Sequence, residues 1–394
     1  MKVLFLSHHD KLYGANRSLL TLVEGLLEFG VESVVGVPDF KGELANHLRS
    51  RSVQLFEFET QPWCISHHGK LPRFVLPFKF AREIWWRLKR WRQAKKQANT
   101  ILVQAGDFHP DVIYTNTAVT PEGYFLAKKL SLPHVWHLRE YCDLDYNLYL
   151  ILGRKISTLI IGKSERVICI SESVKRHYFS NPNTNIHVVH NGVYSSKQID
   201  RLYHEHRLAR LDCSEFVFVL VGLIHPNKQQ KVTIQAFINA RQRVNSIKLK
   251  IVGGGDQDYT NQLKSLVLEN GIEGDVSFCG YLTDPSLELI NADCALMCSA
   301  FEGFGRVTAE AMATGIPVIG NNSGGTPEIV ENGIDGLLYD GSVEHLTECM
   351  VRMASNPSKA SSMGEIGHKK AKRKFSSEIY SRRVFEILSE VVNS

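Results

Sequence analysis

The chain has no cysteine pair at CxxC spacing. Its eight cysteines, at positions 64, 142, 169, 213, 279, 294, 298 and 349, are scattered, and several sit inside apolar runs. That pattern excludes a disulfide framework or a zinc site and predicts reduced thiols in a cytoplasmic protein. No apolar run approaches the ~20 residues of a membrane span. Apolar residues 3–6 follow Met1 and Lys2 directly, which leaves no room for a signal peptide, so the expected location is the cytoplasmic side of the membrane. A GxGxxG fingerprint is missing, which argues against a dehydrogenase. No acidic pair has metal-ligand spacing, so no metal is expected. A net charge of +5 is too small to imply a nucleic-acid partner.

What is present points to two domains. A length of 394 residues exceeds one ordinary core, and 43% hydrophobic with 22% charged residues is a globular balance. Strand and helix patterns alternate on both sides of residue 191. The prediction is an α/β protein of two doubly wound, Rossmann-like domains facing a central cleft, with ligands at the carboxyl ends of strands. Boundaries are expected at 1–193, 194–375 and 376–394, the last a helix crossing back to the first domain. Residues 195–213 read as a charged linker.

The chain is organised around residues 299–319. A buried strand ends near Cys298, a loop carries Gly303 and Gly305, a helix follows, and Pro317 opens the return strand. The glycines let main-chain N–H groups approach a ligand, and the helix start adds unpaired amides and a dipole that favour an anion. Glu302 and Glu310 flank that phosphate-binding geometry. Glu310, one to two turns into the helix, can accept from a ribose diol, and Glu302 from a second polyol beyond the phosphates. A diphosphate with hydroxyls on both sides is a nucleotide sugar.

Glu302 to Glu310 matches the paired-glutamate signature of the family 4 retaining glycosyltransferases, and the chain resembles that family strongly over residues 216–340 and loosely before. The resemblance implies the GT-B arrangement, with a UDP- or GDP-sugar donor on the C-terminal domain, the acceptor on the N-terminal domain, and no cofactor. It assigns donor contacts to Gly303, Phe304, Gly305, Arg306, Val307 and Glu310, and a catalytic role to Glu302. Gly14 matches the glycine that approaches donor phosphates and acceptor. His137 resembles a histidine near the reacting sugar, although the register also permits Arg139 there. Gly222 and Lys228 match a segment whose arginine and lysine clamp the diphosphate. Here Leu223 stands where the arginine is expected, so Lys228, loop amides and Arg306 are the expected stabilisers of the leaving group. Gly254, in the triple glycine 253–255, lets the backbone come close to the nucleotide. Tyr281 follows the segment that reads the base in similar enzymes, and can stack on the base or simply pack.

Residues 79–96 hold Trp85, Trp86 and Trp91 among eight lysines and arginines and a single acid, Glu83. As a helix, this segment places Ile84, Leu88, Trp91 and Lys95 on one stripe. It suits peripheral contact with an anionic membrane and a lipid-linked or saccharide acceptor; the competing reading packs the tryptophans onto the N-terminal sheet. Activity has a rival as well. Leu223 keeps open a catalytically silent subunit that binds a nucleotide sugar, and a nucleotide-sugar epimerase would use a similar two-domain fold.

Overall fold

A computed structural model describes residues 1–66, 77–180, 184–211 and 213–393, without the side chains of residues 77–84 and 87. Two compact units are present. The first comprises Met1–His190 and Tyr380–Ser394, the second Asn191–Ile379.

The first unit is built on a seven-stranded parallel sheet of β1 (Lys2–Leu6), β2 (Glu32–Val37), β3 (Gln54–Glu57), β5 (Val112–Thr115), β6 (His134–Leu138), β8 (Arg166–Cys169) and β9 (Ile186–Val188), in spatial order β3-β2-β1-β5-β6-β8-β9. Two short strands, β4 (Cys64–Ser66) and β7 (Leu148–Leu150), pair antiparallel outside it. Continuous apolar runs such as Val3–Leu6 are what a sheet covered on both faces requires. One face packs on the helix Gly14–Leu27 through Leu19, Leu22, Val23 and Leu26, joined by Tyr380, Val384 and Leu388 of the helix Ser377–Asn393.

The second unit holds a six-stranded parallel sheet of β10 (Phe216–Val221), β11 (Ile247–Val252), β12 (Val276–Gly280), β13 (Cys294–Met297), β14 (Val318–Asn321) and β15 (Gly336–Tyr339), in the order β12-β11-β10-β13-β14-β15. Both sheets are doubly wound. Their strand order reverses between β1 and β5 in the first unit and between β10 and β13 in the second.

Two long helices are not in the sequence prediction. The expected linker contains the helix Ser196–Ala209, opened by a reciprocal cap between Ser195 and Gln198. It buries Ile199 and Leu202, and Tyr203 stacks on His368 at 4.2 Å. The helix Pro357–Lys374 is capped by Asn356 and starts at proline. In each case the polar composition hid a legible start signal.

The basic helix spans Pro77–Gln104. Among its described side chains, the buried stripe is Ala94, Ala98 and Ile101. Trp91 stacks on Trp63 at 5.4 Å and meets Phe125 edge-on at 4.6 Å. Leu88 and Lys95 are exposed, so the predicted stripe is corrected by about one residue step, and Ile84 lies outside the described side chains. The small alanines allow close approach to the helix Glu122–Leu130, and that contact decides the rotation. Trp85 and Trp86 remain exposed.

Glu122 opens that neighbouring helix and is fully buried. One carboxyl oxygen accepts from the Gln61 backbone N–H, and the other has no partner among the described residues. Burial pushes its pKa from 4.5 up to about 8, against the weaker opposing pull of the Gln61 amide. A raised carboxyl pKa in the folded state means stability present below the unfolded value and lost as pH rises through about 8. Wild-type melting temperature should therefore fall from about pH 4.5 to about pH 8 and level off above that, and Glu122→Gln should flatten that decline. Parallel pH curves for the two proteins would remove Glu122 as the cause.

Candidate functional site

In an open α/β sheet, ligands gather at the carboxyl ends of the strands where the strand order reverses. The second unit places two of the predicted residues there. After β10 the chain turns through a short 3-10 segment, Pro226–Lys228; after β13 the loop 298–305 leads into the helix Arg306–Thr314. Because β10 and β13 are hydrogen-bonded neighbours, these two connections meet. The Lys228 ammonium donates to Glu302 Oε2 at 2.6 Å, with both side chains partly exposed.

The helix Arg306–Thr314 starts at Gly305, with φ 82° and no side-chain cap. A Cβ at Gly305 would lie 3.0 Å from Thr308 Oγ1, so both conformation and space call for glycine. Thr308 is buried in the first turn and its hydroxyl has no partner among the described residues. Glu310 is further in, at 2% exposure. It accepts from Arg306 Nε at 2.9 Å, while Arg306 Nη1 and Nη2 donate to the carbonyls of Gly192 and Val193 at 2.8 and 3.0 Å. Arg306, expected as a phosphate contact, donates here to Glu310 and to backbone carbonyls. Phe304 is buried and meets Phe375 edge-on at 5.8 Å, and Val307 is half-buried.

Two residues that the sequence reading left without a role hold this loop. Cβ atoms at Gly324 and Gly325 would fall 2.4 Å from the carbonyl oxygens of Glu302 and Gly303, and Gly325 N–H donates to Glu302 O at 2.7 Å. The glycine pair before the helix Thr326–Ile329 therefore seats the Glu302 turn. Their signal was the Gly-Gly doublet after β14.

Two of the three glycines at 253–255 serve packing between loops. Gly253, at φ 155°, packs on the Gly222 carbonyl, and Gly255 on that of Ile224. Their freedom lets two loops touch each other, since a Cβ at either would overlap backbone. Gly254 N–H is not what stitches the loops; its carbonyl accepts from Ile224 N–H at 2.8 Å. A Cβ at Gly222 would meet nothing within 4 Å. Tyr281 lies beside Gly254 with its ring half exposed, and Leu223 is exposed at 45%.

The first unit has its own reversal point, between β1 and β5. Gly14 is the first residue of the helix after β1; a Cβ there would meet nothing within 4 Å and its φ is not positive, so neither packing nor turn geometry demands glycine. Asn116, after β5, donates from Nδ2 to Ala15 O at 3.2 Å. Its Oδ1 accepts from Arg139 Nε and Nη2 at 3.0 and 2.8 Å, and Nη2 also donates to Tyr380 Oη at 2.8 Å. His137 is fully buried and bonded through Nδ1 to the Tyr114 hydroxyl, with Nε2 unpartnered among the described residues. Burial, then the nearby Arg139, holds its pKa well below the usual range, so the ring is neutral. Of the two positions open in the sequence, Arg139 is the one at the strand's carboxyl end. His137 lies two residues earlier on the same face, inside the strand, where it is fully buried.

Two family profiles match this chain: Glycosyltransferase Family 4 over residues 13–197, and Glycosyl transferases group 1 over residues 205–370. The chain belongs to the family 4 glycosyltransferases.

This family 4 chain is 33% identical over 159 residues to a GDP-mannose-dependent alpha-(1-6)-phosphatidylinositol monomannoside mannosyltransferase of Mycobacterium tuberculosis, covering 38% of this chain and 41% of that protein. It is 29% identical over 225 residues to N-acetyl-alpha-D-glucosaminyl L-malate synthase of Bacillus anthracis, covering 55% and 58%. The matched segments thus span about half the length of these relatives. Over 99% of both chains it superposes on the crystal structure of Anabaena HepE in complex with UDP and glucose, with TM-score 0.78 and 21% identity, which shows a shared GT-B fold.

Proposed function

We propose that this chain moves a sugar from a nucleotide-diphosphate donor to a hydroxyl acceptor with the anomeric configuration retained. One observation carries the reading: at the β10–β13 reversal, Lys228 and Glu302 pair 2.6 Å apart beside an uncapped helix start. A diphosphate at that helix start would draw on its first-turn amides and dipole. Lys228 would then offset the charge of the departing nucleoside diphosphate, a task we assign to protein groups and not to a divalent cation. Glu302 would hold sugar hydroxyls, and Glu310, once its pairing with Arg306 is shared, the ribose.

The C-terminal domain would hold the donor and the N-terminal domain, around Gly14 and Arg139, the acceptor. HepE was crystallised with UDP and with UDP-glucose, and the mycobacterial relative is named for GDP-mannose. Those two donors bracket the first experiment. Purified protein with a lipid-linked or saccharide acceptor and membranes should release UDP from UDP-glucose or GDP from GDP-mannose. A lipid acceptor would place the reaction in cell-surface polysaccharide or lipopolysaccharide synthesis.

One observation favours a second reading: exposed Leu223 stands in place of the clamp arginine, as a silent nucleotide-sugar-binding subunit would tolerate. Tight nucleotide binding with no nucleoside diphosphate released, across a panel of UDP- and GDP-sugars, would select it.

A further inference from the structure

The helix Gly153–Ile161 is turned inside out. It buries Ser157 and Ile161, while Ile156 and Leu159, one turn apart, are 54% and 68% exposed. An amphipathic helix on a water-soluble surface does the reverse. Its remaining exposed side chains include Arg154 and Lys155, and no acid occurs between Tyr146 and Ser164.

This helix is joined to the tryptophan helix through the small two-stranded sheet. β7 runs directly into it and pairs with β4. On the other side, Arg90 Nη1 donates to the carbonyls of Pro62 and Cys64, at 3.2 and 3.1 Å. Ile151 N–H donates to Trp63 O at 2.7 Å, and Trp63 carries the stack with Trp91. The helix Pro77–Gln104 contributes exposed Trp85 and Trp86, with the Lys89 ammonium 5.3 Å and the Arg90 guanidinium 4.2 Å from their rings. No acid occurs between Trp85 and Gly106.

We infer that Gly153–Ile161 is a second membrane-docking leg, acting with Trp85 and Trp86 to seat the first unit on an anionic bilayer surface. Charge complementarity selects that occupant: both legs pair exposed apolar side chains with cations alone, so insertion of the apolar groups and attraction to lipid phosphates act together. Exposed tryptophans with a cation beside the ring suit the headgroup level, where one end of the ring is apolar and the other wet. This deepens the reading of a lipid-borne acceptor, which it would bring to the N-terminal domain, but it stands or falls on binding alone.

The test is co-sedimentation of the full chain with vesicles of phosphatidylcholine alone or mixed with phosphatidylglycerol. Wild-type protein should partition onto the anionic vesicles and weakly onto the neutral ones. Ile156→Ser with Leu159→Ser should lower anionic partitioning by about tenfold, as should Trp85→Ser with Trp86→Ser, with unchanged melting temperature. Arg154→Glu with Lys155→Glu should do the same by charge, independently of apolar area. Wild-type partitioning by the Ile156/Leu159 variant would overturn the proposal. So would a change in its self-association by sedimentation, with vesicle binding intact, which would make this face a protein interface. Vesicle binding without sugar transfer would leave the surface standing and sink the transferase reading; transfer to a lipid acceptor with no vesicle binding would do the opposite.

Discussion

Lys228→Ala should lower release of nucleoside diphosphate by roughly 10²–10³-fold, the loss seen when one stabiliser of developing negative charge is removed. The magnitude follows from what stands around it. Leu223 cannot donate, and Arg306 is already tied to Glu310 and to the Gly192 and Val193 carbonyls. That leaves Lys228 as the cation this site presents among its described residues. Stability should hardly change, because the Lys228–Glu302 pair is partly exposed and such pairs contribute only about 0–1 kcal/mol. Turnover near the wild-type rate would show that loop amides alone carry the leaving group. Loss of folding together with turnover would instead make the pair structural.

Arg306→Ala should do the opposite, costing stability of about 3–5 kcal/mol, since it strands the buried Glu310 carboxylate without its cation. Two backbone carbonyls lose their donors in the same substitution. Urea unfolding of the second unit would measure it, and the double replacement Arg306→Leu with Glu310→Leu should recover much of the loss, because an apolar pair avoids burying a lone charge. If Arg306→Ala instead keeps wild-type stability and loses only nucleotide binding, the phosphate contact expected from the sequence was right and the clamp described here is incidental.

These two substitutions show which parts of the site could be read early. Glu302, Gly305 and Lys228 were legible because each is bound to a local pattern: a strand end, a turn that needs φ near 82°, and a fixed distance past a glycine. Arg306 carries the same kind of local signal, but the bonds it makes in the structure could not be read from it. Its partners Gly192 and Val193 are more than a hundred residues away, and no spacing rule joins them. His137 shows the same limit from the other side. A histidine near a strand end looks available, and only the Tyr114 hydroxyl and the surrounding core turn it inward.

The triple glycine and the pair at 324–325 look alike as text. One set lets two loops pack on each other and the other seats the Glu302 turn, a distinction made by which backbone happens to lie within 3 Å. The helix Ser196–Ala209 was missed for the converse reason: its cap was written in the sequence, but its two buried residues, Ile199 and Leu202, gave too little apolar period to outweigh the charges.

By itself, then, the sequence determined the alternation of strands and helices, the break near residue 190, and the loop chemistry after β10 and β13. Those depend on neighbours a few positions apart, where backbone preference and side-chain period act directly. Tertiary structure alone decided which charges are committed, which glycines serve packing, and which face of the Gly153–Ile161 helix meets water. Each of those depends on groups distant in the chain being brought within hydrogen-bond or van der Waals range, and short-range pattern carries no record of that.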